Sequence, residues 1–212
     1  MKRLFGTDGI RGVANQHPLD IETALKVGRA VAAFFDGRAN GTGRVLIGRD
    51  TRISGDMLVS AIAAGICSMG KDVFLAGIIP TPAVAFLTAA EGFDAGIVIS
   101  ASHNPFYDNG IKLFDKDGYK LSDDAEANLE QIITDNATLY NKSNSIQKTG
   151  QVRYLDDALV RYQQFLANCY PYEGRPLEGM RLVVDCSNGA ASRLAPALFE
   201  DLGATVRTMS SR

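Results

Sequence analysis

Residues 95–112 read Ala-Gly-Ile-Val-Ile-Ser-Ala-Ser-His-Asn-Pro-Phe-Tyr-Asp-Asn-Gly-Ile-Lys. The first five are an uninterrupted apolar run, the pattern of a buried strand. That strand feeds a loop carrying the Ser102 hydroxyl, the His103 imidazole and, past two expected turns, the Lys112 ammonium. Asn104-Pro105 and Asn109-Gly110 are the turn formers: asparagine bonds its own backbone, proline fixes φ and glycine accepts positive φ. In open α/β sheets ligands bind beyond the carboxyl ends of strands. The loop is therefore placed for chemistry.

Working outward from this stretch gives alternating strands and helices. On the N-terminal side a glycine-punctuated segment (Gly6, Gly9, Gly12) precedes an expected helix from about Leu19 to Asp36, with Leu25, Gly28, Ala32 and Phe35 on one face. A strand over Val45–Gly48 leads to a helix capped by Ser54, whose stripe is Leu58, Ala61, Ile62, Gly65, Ile66 and Met69. Asp72–Gly77 reads as a strand, and Thr81-Pro82 as a cap followed by proline at the first helical position. On the C-terminal side come a strand over Ile111–Phe114 and a helix opened by Ser122 and carrying Leu129, Ile132 and Ile133. Such alternation predicts an α/β fold with helix, mixed sheet and helix in layers.

Residues 135–152 are dominated by Asn, Thr, Ser, Lys and Gln and read as a linker. The expected division is residues 1–150 and residues 151–212. The second part holds a helical pattern (Leu155, Leu159, Tyr162, Leu166, Cys169), then a strand over Leu182–Asp185, a Ser187-Asn188-Gly189 turn, a helix around Arg193–Leu202 and a strand over Ala204–Thr208. That is one βαβ unit. Two strands rarely hold themselves together, so the expectation is the truncated start of a second, similar α/β domain.

Composition narrows the function classes. The 46% hydrophobic and 22% charged content over 212 residues is that of a globular protein. A net charge of −2 with no basic block argues against a nucleic-acid partner. Two early positive charges lack an apolar segment behind them, and no apolar stretch is long enough to span a bilayer, so no membrane association is expected. Cys67, Cys169 and Cys186 are odd in number without Cys-x-x-Cys spacing. They read as idle thiols in a reducing cytoplasm.

The serine loop admits two readings from its residues alone. A hydrolase is disfavoured: His103 is the immediate neighbour of Ser102, neighbouring side chains diverge in extended backbone, and the Gly-x-Ser-x-Gly elbow is missing. A phosphorylated Ser102 fits better, because Lys112, His103 and backbone donors could offset its two negative charges. A plain polar surface loop remains the alternative. Arg11, among Gly6, Gly9 and Gly12, suits close approach to an oxyanion. In Arg49-Asp50-Thr51-Arg52 the expectation is an Arg–Asp pair pinning a turn. Gly65-Ile-Cys-Ser-Met-Gly-Lys71 imitates a P-loop, but Asp72 replaces the required Ser or Thr and a helix precedes a strand. Two histidines and the absence of an Asp-x-Asp-x-Asp cluster leave no metal site of its own.

Phe5-Gly-Thr-Asp-Gly-Ile-Arg-Gly12, Gly48-Arg-Asp-Thr-Arg52 and Ser100 to Lys112 together resemble the α-D-phosphohexomutase family. The resemblance runs over essentially the whole chain, and its serine loop is similar to the branch acting on glucosamine phosphates. It implies that Ser102 carries a phosphoryl group and lends an oxygen to Mg²⁺. It also implies that His103 and Lys112 line the phosphoserine, with Lys112 a candidate general acid/base, and that Arg11, Thr7 and Asn104 bind phosphate. The implied reaction interconverts glucosamine 6-phosphate and glucosamine 1-phosphate through a bisphosphate, an isomerase activity supplying a cell-wall precursor. Relatives acting on glucose or mannose phosphates, or a non-catalytic domain binding sugar phosphate or a protein, are the alternatives. The family's Asp-Gly-Asp-x-Asp-Arg metal loop, sugar-recognition loop and fourth-domain phosphate loop have no counterpart in these 212 residues. The 212 residues alone are therefore expected to show no turnover.

Overall fold

The structure, a computed structural model, describes residues 4–6, 8–35, 43–135, 149–170 and 174–211. Thr7 and most of the expected linker (136–148) lie outside the described residues. Six strands form one mixed sheet in the order β1-β5-β4-β2-β3-β6: Ile10–Val13, Asp108–Asp115, Ala95–Ile99, Arg44–Arg49, Asp72–Ile78 and Val152–Tyr154. β4, β2, β3 and β6 run parallel, while β5 is antiparallel to both β4 and β1.

Period-two alternation sorts the strand residues onto the two faces. Val45, Ile47, Ile97, Ile99, Ile111 and Leu113 pack with α1 (Ile21–Phe34), α2 (Gly55–Ser68) and α4 (Asp123–Thr134). Leu46, Val98 and Phe114 face α3 (Thr81–Ala90), α5 (Ala158–Asn168) and α6 (Leu194–Asp201). All five residues of β4 are buried, as a central strand covered on both sides requires. The layered fold is as expected. The chain past residue 150 nonetheless contributes to the first sheet, because β6 pairs with β3 and the α5 residues Ala158 and Tyr162 join the second core.

Helix ends follow local chemistry, with two departures. Asp20 caps α1 by accepting from the Thr23 amide at 2.7 Å, and Ser122 caps α4 by accepting from the Ala125 amide. Ser54 does not cap α2: its hydroxyl accepts instead from Asn109 Nδ2 at 2.9 Å. Pro80, not Thr81, holds the cap position of α3, with Thr81 already helical. Gly65 of the apparent P-loop lies in α2 against the Leu25 carbonyl of α1, where a Cβ would collide. Its glycine serves helix packing.

The last unit is β7 (Arg181–Asp185), α6 and β8 (Thr205–Met209), a parallel pair forming its own two-stranded sheet. Val183 is 70% and Met209 54% exposed, so this sheet lacks the two covered faces of the first.

Candidate active site

The chain crosses from α2 through β3 and α3 to return on the other side of β2, making β2 and β4 the neighbours where connections diverge. Ligand crevices form at such switch points, beyond the carboxyl ends of the strands. Here the cleft has a volume of about 880 Å³. Its walls come from four strand ends: residues 50–53 after β2, 80–82 after β3, 100–106 after β4 and 186–191 after β7.

Ser102, His103 and Asn104 line this cleft, and the first two are exposed. Ser102 has φ of +56°, a left-handed conformation costing a non-glycine residue about 1–2 kcal/mol. That conformation corrects the expectation that neighbouring side chains diverge: Ser102 Oγ and His103 Nδ1 lie 3.4 Å apart. The divergence argument holds for extended backbone, and Ser102 is not extended.

A network behind the loop fixes this conformation. Asp50, 8% exposed, accepts from the Arg52 amide at 3.0 Å, from Arg52 Nε at 3.1 Å and from Ser100 Oγ at 2.7 Å. Ser100 Oγ in turn accepts from the Ser102 amide at 3.1 Å. The Arg52 guanidinium donates to the carbonyls of Pro105, Asp108, Ser102 and Asn104. The expected Arg–Asp pair is present, and its reach across to the serine loop was not foreseen.

Asn104 points part of its amide elsewhere, donating through Nδ2 to Asp108 at 3.0 Å. Asn109-Gly110 is not a turn. Both residues lie inside β5, where Asn109 is fully buried and uses its side chain on the Gly110 amide and on Ser54. The satisfied side chain lets a turn-forming pair sit in a strand.

Lys112 therefore belongs to a strand, paired across from Val98, and its side chain is 14% exposed. Lys112 and Arg11 do not line the cleft; they meet at Asp8. Lys112 Nζ lies 2.7 Å from Asp8 Oδ2, and Arg11 bonds the same oxygen. Partial burial pulls the Asp8 carboxyl upward, but the ion pairs with Lys112 and Arg11 outweigh it and hold the group below its usual value. Asp8 was missed in the sequence, although its spacing of three from Arg11 in a glycine loop was a visible signal.

The opposite wall was also underrated. Ser187 and Asn188 have φ of +47° and +50°, and the Asn188 carbonyl accepts from Thr51 Oγ1 at 2.6 Å. Among the described residues no group of three or more His, Cys, Asp or Glu is placed to hold a metal ion, and no helix is long and apolar enough to cross a membrane. All three cysteines are free thiols.

A family model described as phosphoglucomutase/phosphomannomutase, alpha/beta/alpha domain I, matches residues 2–139. Proteins named phosphoglucosamine mutase from Pelobacter propionicus and Syntrophus aciditrophicus are 52% identical over 210 residues and 50% identical over 209. These matches cover 97% and 99% of this chain and 45% and 46% of those relatives. The chain thus spans about half their length. A solved phosphoglucomutase/phosphomannomutase family protein from Burkholderia thailandensis superposes with a TM-score of 0.81 at 29% identity, over 100% of this chain and 44% of that one.

Proposed function

This chain belongs to the phosphoglucomutase/phosphomannomutase family, and on that premise we propose that it is the phosphoserine-bearing part of a cytoplasmic phosphoglucosamine mutase. One observation carries the reading: the exposed Ser102 hydroxyl, held left-handed at the carboxyl end of a buried strand, opens on a cleft large enough for a sugar phosphate. Glucosamine, rather than glucose or mannose, rests on the names of relatives that are half identical to this chain.

The proposed reaction has two phosphoryl transfers. The bond from Ser102 Oγ to phosphorus breaks while a sugar hydroxyl oxygen bonds the same phosphorus and gives up its proton. The bisphosphate then turns over; the bond from the sugar oxygen to its other phosphorus breaks as Ser102 Oγ bonds that phosphorus, and the sugar oxygen takes back the proton. Such transfers demand alignment and charge neutralisation more than covalent help. His103, beside Oγ, is assigned to the phosphoserine, with Asn104 on the same loop. Lys112 is assigned the proton transfer and Arg11 the phosphate charge; both are paired with Asp8, beside the residues that line the cleft. Thr7, outside the described residues, keeps its assignment to phosphate binding.

Mg²⁺ would further neutralise the phosphoryl oxygens. The described residues offer it the oxygen of Ser102 and no carboxylate cluster, so they do not fit a complete metal site and no step is drawn through it.

The test is the intact mass of the native protein, followed by site mapping. One phosphoryl group on Ser102 is expected, and Ser102→Ala is expected to lower conversion of glucosamine 6-phosphate by more than about a thousandfold. Phosphate found on another residue of active protein refutes the assignment, and faster turnover of glucose or mannose phosphates refutes the substrate.

A further inference from the structure

The Arg52 guanidinium has five N–H donors, and all five have acceptors. Nε serves Asp50 at 3.1 Å; one terminal nitrogen serves the carbonyls of Pro105 and Asp108, the other those of Ser102 (2.9 Å) and Asn104 (2.8 Å). The side chain is only 10% exposed although it lines the cleft. An arginine with free donors in such a cleft would be read as a phosphate ligand. This one has none to offer. Its acceptors span the serine loop from residue 102 to residue 108, and one is the carbonyl of Ser102 itself. Asp50 closes the device from the other side: it orients the guanidinium and, through Ser100 Oγ, the Ser102 amide. Ser102 is thus gripped at both its N–H and its C=O.

We infer that Arg52 is a positioning residue that locks Ser102 in its left-handed, transfer-ready conformation and does not itself bind the substrate's phosphate. The inference rests on the reading of Ser102 as the phosphoryl carrier. Lysine cannot replace Arg52, because three donors on a flexible stem cannot serve five acceptors.

The experiment uses the whole protein at the length its relatives have, assayed with glucosamine 6-phosphate. Arg52→Ala is expected to lower kcat about a hundredfold, the usual penalty for a small displacement of a reacting group, and to change KM by less than about threefold. Arg52→Lys should behave nearly as Arg52→Ala does, and added guanidinium ion should restore part of the rate of the alanine variant. Ser100→Ala leaves no buried charge unpaired and guards against Arg52→Ala failing to fold; it should lose about fivefold to tenfold in kcat. A hundredfold rise in KM with kcat retained would overturn the inference, making Arg52 a substrate ligand. So would wild-type kcat in both Arg52→Ala and Ser100→Ala. If the wild-type protein converts no sugar phosphate and carries no phosphate on Ser102, the functional reading falls and takes the inference with it.

Discussion

The serine loop and the turn at residues 186–191 face each other across one cleft, both at carboxyl ends of strands and both with left-handed residues, yet they are held very differently. The serine loop is tied from behind by Asp50, Arg52 and Ser100, on a strand buried on both faces. The opposite turn relies on its own strands: Ser187 N–H to Asp185, Asn188 N–H to the Ser210 carbonyl and Gly189 N–H to the Cys186 carbonyl. Thr51 adds one side-chain bond across the cleft. Behind that turn lies a two-stranded sheet with exposed apolar residues. One wall is braced by buried side chains from a neighbouring loop, the other mostly by short-range bonds within its own unit.

The largest contrast should come from adding one methyl group in the strand behind the serine loop and one in the opposite turn. At Gly110 a Cβ would lie 2.6 Å from the Ser100 carbonyl and 3.2 Å from that of Ile10. Neither backbone can yield without breaking the β1-β5-β4 pairing, so Gly110→Ala should cost about 2–3 kcal/mol. At Gly189 the nearest atom is the Cys186 carbonyl at 3.3 Å, and Gly189→Ala should stay within about 0.5 kcal/mol. Urea midpoints at unchanged slope measure both. Equal costs would erase the distinction between the walls.

Acid should produce a smaller, graded effect at the cations beside the fixed wall. The Asp8 carboxyl is held below its usual value, so the folded protein binds fewer protons there than the unfolded chain. The stability from its pairs with Lys112 and Arg11 is then complete above the usual aspartate range, near about pH 3.9. It is lost as pH falls through the lower folded value. Denaturation of wild type and Asp8→Asn across pH should show a gap that is constant at neutral pH and narrows below about pH 4. A gap that widens on acidification would mean that the carboxyl is not ion-paired in solution.

What the sequence made legible follows what side-chain identity encodes. β4 was readable because a fully covered strand must be apolar throughout, and the loop after it because a serine, a histidine and a proline-bearing turn are chemically marked. Arg52 was not readable as the loop's anchor: four of its acceptors are backbone carbonyls 50 to 56 residues away, and a carbonyl carries no residue identity. Asn109-Gly110 misled for a related reason. Turn preference describes an asparagine whose side chain is unused, and here Ser54 and the Gly110 amide use it. The same contact removed Ser54 from its expected cap. The pairing of Lys112 and Arg11 at Asp8 needed the β1–β5 register, which no local pattern supplies.

Thr51→Ala is the finest probe of the two walls, because it deletes a side-chain bond that runs between them while leaving both backbones intact. The bond is exposed, so the change should cost no more than about 1 kcal/mol. Its signature lies in amide exchange. Protection should fall over residues 186–192, where the Asn188 carbonyl loses the Thr51 hydroxyl, and stay constant over residues 100–108, where Arg52 and Asp50 keep their partners. Loosening of both segments together would show that the two walls depend on each other, and the cleft would then be a single coupled unit.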